Sequence, residues 1–83
     1  MYTIILSDNI ELKNGYAKVT VPTLEEAKRA FRNELLLACK EKHIDQRYER
    51  YLQIDEYTIS CDYGSWNDFI GIHSDAPITL ESI

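Results

Sequence analysis

The sequence predicts an α+β two-layer sandwich, an antiparallel sheet of about four strands ordered β-β-α-β-β and packed on one main helix. Three observations predict it. The stretch from Thr23 to about His43, TLEEAKRAFRNELLLACKEKH, carries a long helical period with signals at both ends. Short runs with strand character precede it (YTIILS, YAKVTV) and follow it (YTISCDY, WNDFIGIH). Turn residues join each pair closely, which makes consecutive hairpins and hence antiparallel pairing.

Tyr2 to Ser7 is apolar and β-branched. Tyr16 to Val21 alternates, with Ala17, Val19 and Val21 on one side and Tyr16, Lys18 and Thr20 on the other. Between them, Asn14-Gly15 favours a type I′ hairpin turn, because both residues tolerate positive φ. Under that turn Lys13 would face Tyr16, Leu12 would face Ala17, and Glu11 would face Lys18 as an attractive cross-strand pair. The first strand is then expected to run from Tyr2 to Lys13 with a bulge near Asp8-Asn9. A loop from Asp8 to Gly15 is the alternative.

Pro22 ends the strand, and Thr23-x-x-Glu26 reads as a capping box that opens the helix. Glu25 and Glu26 fall in its first turn and Lys40, Lys42 and His43 in its last, which suits the helix dipole. At 100° per residue, Leu24, Ala27, Ala30, Phe31, Leu35, Leu37 and Ala38 share a broad apolar face. Leu36 must then point backward, beside Arg29, Arg32, Cys39, Lys40 and His43. Glu34 falls near the middle of the apolar face, with Glu41 close by, so the pattern contains its own conflict.

Asp45 is positioned to cap a short second helix presenting Tyr48, Tyr51 and Leu52, with an extended run from Tyr51 as the alternative. Tyr57 to Tyr63 alternates as a strand, Asp62 to Ser65 supplies a turn, and Trp66 to His73 returns, with Gly71 marking a bulge or close packing. Ile78 to Ile83 reads as an edge strand or a loose tail.

A chain of 83 residues makes one domain with a small core. Its net charge of -5 argues against general binding to nucleic acid or anionic membranes, so no direct nucleic-acid partner is expected. The start, MYTIILSDN, has no basic region before its short apolar run, and no segment reaches a membrane-spanning length. A soluble cytoplasmic protein, monomer or homodimer, is the expectation. Cys39 and Cys61 read as buried thiols rather than a disulfide framework.

Charge is unevenly spread. Residues 1–22 balance, residues 23–50 hold six acids and seven Lys/Arg, and residues 51–83 hold six acids with no Lys or Arg. That last third also carries Tyr57, Tyr63, Trp66 and Phe69. An acidic aromatic hairpin suits a partner with a basic surface, because complementary fields steer association and aromatic anchors hold it. The candidate partner-binding residues are Asp62, Tyr63, Trp66, Asp68 and Asp75, weighed against core packing for the aromatics and simple solubility for the acids.

Other constellations are weaker. Arg47-Tyr48-Glu49-Arg50-Tyr51 interleaves guanidinium and aromatic groups as single-strand binders do, but Glu49 and its acidic surroundings oppose that role. Cys39-x-x-x-His43 with Cys61 and His73 makes a four-ligand set on paper, yet its spacing matches no familiar zinc finger. Neither thiol has an evident catalytic partner, and the glycines Gly15, Gly64 and Gly71 are too scattered for a phosphate loop. No enzyme, cofactor, catalytic residue or metal ligand is expected.

The chain resembles the small, acidic, single-domain inhibitors that phages encode against bacterial defences, the anti-CRISPR type. The features that carry the resemblance are its 83 residues, its acidity, a hairpin leading through VPTLEEA into one helix, and the acidic aromatic hairpin after it. Members of that class often bind a basic nucleic-acid groove on their target. The resemblance therefore implies a non-enzymatic inhibitor acting in the host cytoplasm, and carries over no individual residue. The competing expectation is a structural or accessory subunit that associates through Leu36 and the basic back of its helix.

Overall fold

Residues 1–44 and 48–83 are described by the computed structural model. Among them the chain forms β1 (Tyr2–Ser7), β2 (Tyr16–Val21), α1 (Leu24–Lys42), β3 (Arg50–Asp55), β4 (Thr58–Asp62) and β5 (Phe69–Ser74), then a 3-10 turn at Leu80–Ser82. The strands make a five-stranded antiparallel sheet in the order β2-β1-β5-β4-β3. The helix packs on one face, so the expected two-layer α+β architecture holds with one strand more than the sequence suggested. The additional strand is β3, from the segment with an extended alternative. Its pairing of Tyr51 with Cys61 and Gln53 with Ile59 is a long-range choice that local propensity does not reveal. Asp45, the expected cap of a second helix, lies outside the described residues.

α1 begins as its residues dictate. The Thr23 Oγ1 accepts from Glu26 N at 3.2 Å. Glu26 returns its carboxylate to the Thr23 hydroxyl at 3.1 Å, not to the backbone, so half of the capping box forms. The helix closes with His43 in the left-handed region at φ 56°. His43 N donates to Lys40 O at 3.4 Å, and Ile44 N donates to Cys39 O at 2.9 Å, the two bonds of a Schellman ending.

The core lies between α1 and the sheet. Ala27, Phe31, Leu35 and Cys39 are the buried helix residues. Phe31, Leu35 and Cys39 cluster with Ile4, Ile59, Cys61, Tyr63, Ile70, Ile72 and Ile78. Cys39 was expected on the back of the helix and Leu37 on its core face; the structure exchanges them, with Leu37 53 % exposed. A stripe at i, i+4, i+8 advances by about 40° per step and drifts toward Cys39 along a helix this long. Phe31 reaches Tyr51 on β3, ring centroids 6.1 Å apart, which draws the buried stripe to that side. Leu36 points backward as expected.

The segment 8–15 is a loop, not an extension of the hairpin. Leu6 pairs with Tyr16 and Ile5 with Ala17, so the register set by an Asn14-Gly15 turn does not form. Leu12 and Asn14 take positive φ and Gly15 does not. Asn9 organises the loop: its Oδ1 accepts from Lys13 N at 2.9 Å and its Nδ2 donates to Lys13 O at 2.7 Å. Glu11 pairs with Lys13 at 3.4 Å, not with Lys18. The loop lays Leu12 on Gly71, on the sheet face that α1 does not cover.

Candidate protein-interaction surface

The β4–β5 connection presents Trp66 to solvent. Tyr63 anchors its start in the core, 2 % exposed. Asp62 Oδ1 accepts from Gly64 N at 3.0 Å, and Gly64 takes φ +99°, a turn suited to glycine. A side chain at Gly64 would also press on Ile44 and touch Tyr48, whose ring lies alongside. Ser65 is buried, and its Oγ accepts from Asn67 N at 3.5 Å. The indole of Trp66, between these anchored residues, is 98 % exposed. With Tyr48, Asp62, Gly64, Ser65 and Phe69 it lines a shallow depression of about 480 Å³.

An exposed indole is an unfavourable arrangement for a lone domain, because Trp gains more from burial than almost any side chain. Beside an acid and two further rings, it has the composition of an interface anchor.

The five predicted residues do not form one patch. Asp62 and Trp66 share the depression. Asp68 does not line it and is held by Lys42 in an ion pair, so its charge is largely offset. Tyr63 is a core residue that supports the loop from beneath. Burial, followed by the charge of Asp68, pushes its hydroxyl pKa up to about 12. Asp75 lies beyond the far end of β5, where its Oδ2 is 3.3 Å from the Met1 nitrogen. A six-residue strand, about 20 Å, separates it from Asp68. Tyr48 belongs to the surface and sequence reasoning placed it on a helix; its pairing with Gly64 is a tertiary contact without a local signal.

The basic back of α1 is not covered by the acidic third. Arg32 pairs with Glu49 at 3.1 Å, and Glu49 also accepts from the Tyr51 hydroxyl. Burial pushes the Glu49 carboxyl up, but the bonds from Tyr51 and Arg32 and the Arg32 charge outweigh it, leaving its pKa below the usual range. Burial first, and then the bond to Glu49, raises the Tyr51 hydroxyl. Among the described residues, Lys42–Asp68 is the one ion pair between α1 and the acidic third, and Arg29 and Lys40 make none. Leu36, 39 % exposed, sits on that face.

The four Cys and His residues are dispersed. Cys39 and Cys61 are in the core without a disulfide between them. His43 is an exposed helix cap. His73 is on the opposite sheet face, its Nδ1 2.8 Å from Thr58 Oγ1. Among the described residues no group of three His, Cys, Asp or Glu side chains could hold a metal ion. Burial, then the charges of Glu49 and Asp62, pushes the Cys61 thiol up to about 12, so the thiolate needed for nucleophilic chemistry does not form near neutral pH. Arg47 of the Arg/Tyr-rich run lies outside the described residues. No helix among the described residues is long and apolar enough to cross a membrane.

Comparison with protein-family models, with curated proteins and with solved structures finds no match.

Proposed function

We propose that this chain is a non-enzymatic binding protein that occupies a basic surface on a partner protein, with Trp66 as its anchor and Asp62 as its nearest charge. The observation that carries this reading is the exposed indole on a loop pinned at both ends, 98 % accessible beside Tyr48 and Phe69. A pinned loop loses little conformational freedom on binding, which favours affinity. Residues 51–83 supply six carboxylates and no Lys or Arg, which favours a cationic partner and fast, salt-sensitive association. The narrower form of the proposal is an anti-CRISPR-like inhibitor, supported by size, acidity and layout.

The test is affinity capture with the tagged chain at low and high salt, beside the Trp66→Ala and Asp62→Lys variants. A basic protein retained by the wild type, released by salt, and lost by at least tenfold with Trp66→Ala is the expected result. An identical captured set for wild type and Trp66→Ala would overturn it.

A second reading, an accessory subunit that associates through the back of α1, is favoured by exposed Leu36 between the unpaired Arg29 and Lys40. Self-association abolished by Leu36→Asp and untouched by Trp66→Ala is its signature in sedimentation.

A further inference from the structure

Five strands span about 19 Å between the outer strand axes, and a helix with its side chains is about 10–12 Å across. One helix therefore leaves part of the sheet face open. On the β3 side the C-terminal segment fills the remainder. Ile78 is buried in the same cluster as Phe31, and Gln53 Nε2 donates to Ile78 O at 2.9 Å. On the other side α1 itself packs on β2, β1 and β5, but its C-terminal half leaves an opening beside them. A groove of about 530 Å³ runs there between the C-terminal half of α1 and the β1–β2 pair.

Its floor is apolar: Leu6, Ile70 and Ala38. Its walls are apolar but solvent-facing, with Leu37 53 % and Tyr16 61 % exposed. The charges around it are unbalanced. Lys42 and Asp68 offset each other, which leaves Asp8, Glu34 and Glu41 against Lys18. Glu34, Leu37, Ala38 and Glu41 fall on one side of α1 at i, i+3, i+4 and i+7. That explains why Glu34 interrupts the predicted apolar face: it borders an opening, not the core.

We propose that this groove seats an amphipathic helix of a protein partner, its apolar stripe on Leu6, Tyr16 and Leu37 and its Lys or Arg residues on Glu34 and Glu41. A helix suits the opening beside the C-terminal half of α1, with anchors repeating at i, i+3/i+4 and i+7. A strand added to β2 is opposed by the edge itself, where the register shifts at Lys18 and interrupts the ladder. A second copy of this chain is opposed by charge, since each copy carries -5 and the groove is acidic. The seat lies across Phe69 from Trp66, and it stands or falls separately from the role proposed for that indole.

The experiment titrates the ¹⁵N-labelled chain with a synthetic Leu/Lys amphipathic helix of about 18 residues, roughly five turns, and with its Leu/Glu counterpart. The Lys peptide is expected to shift the amides around Tyr16, Leu37 and Glu41 saturably, and the Glu peptide is not. Leu37→Asp should weaken binding at least tenfold, and Trp66→Ala should leave it unchanged. Glu34→Lys with Glu41→Lys should transfer the preference to the Glu peptide. Equal binding of both peptides, shifts centred on Trp66, indifference to Leu37→Asp with helix content intact, or peptide-free dimerisation through the same amides would each overturn the proposal. Partner capture lost with Trp66→Ala while peptide binding persists, or the reverse, separates this seat from the indole's role.

Discussion

Leu12 rests on Gly71: a β-carbon at Gly71 would overlap Leu12 Cδ1 and come within 2.9 Å of Ile59 O. The contact covers the centre of β5 on the sheet face opposite α1. It also makes the 8–15 loop and β5 mutually dependent, although 59 positions of chain separate the two residues. Gly71→Ala should destabilise the fold by about 1–3 kcal/mol through overpacking. Leu12→Ala should recover part of that loss in the double variant, because it removes one of the two obstructions. Chemical unfolding of the two single variants and the double variant measures the coupling; simple additivity would mean that the contact is not formed in solution.

The exposure of Trp66 has a direct optical consequence. Its emission should lie close to that of the urea-unfolded chain, and a small neutral quencher should reach it without hindrance. Trp66→Ala should alter stability by less than about 0.5 kcal/mol. A blue-shifted emission in the isolated chain would mean that the indole is already covered.

The Arg32–Glu49–Tyr51 cluster predicts acid sensitivity. The Glu49 pKa is lowered in the fold, so its contribution is present above the unfolded carboxylate value, about 4.3, and is lost as pH falls through the lower folded value. Glu49→Gln should cost about 1 kcal/mol at neutral pH and flatten the stability profile below about pH 4.5. Thermal unfolding between neutral and strongly acidic pH, wild type against variant, checks it.

Cys61 predicts the alkaline limb. Its folded pKa of about 12 lies above the unfolded thiol value of about 8.5, so its stabilisation is complete below the lower value and declines as pH rises between them. The slope approaches about 1.4 kcal/mol per pH unit where the unfolded thiol is ionised. Cys61→Ala should lower stability overall by leaving a cavity, yet show a flatter profile from about pH 8.5 to 10. An unchanged alkaline slope would assign that limb to other groups.

His43 closes α1 in a conformation that glycine adopts more readily, at φ 56°. His43→Gly should therefore stabilise the chain by about 0.5–1 kcal/mol, the relief of left-handed strain exceeding the greater freedom of the unfolded glycine. The midpoint of urea unfolding should rise with the slope unchanged.

The sequence by itself determined the elements with strong local chemistry. Thr23, the paired glutamates and the alternation of Ala27, Phe31 and Leu35 made α1 legible. Alternation and β-branching made β1, β2, β4 and β5 legible, although β5 begins at Phe69 and leaves Trp66, read as the first residue of the returning strand, on the loop before it. Hydrogen bonds and side-chain periods within one segment are written into that segment. What only the tertiary structure decided depends on distant partners. Gly71 and Leu12 meet only because the 8–15 loop folds back across the sheet, which gave Leu6–Tyr16 pairing instead of the Asn14-Gly15 register. β3 is a strand because β4 offers it an edge, and Cys39 is buried in place of Leu37 because the core extends toward Tyr51. Tyr63 went inward, and Asp75 went to the other end of β5, because alternation fixes which residues share a face but not which face meets the helix, or which ends lie together.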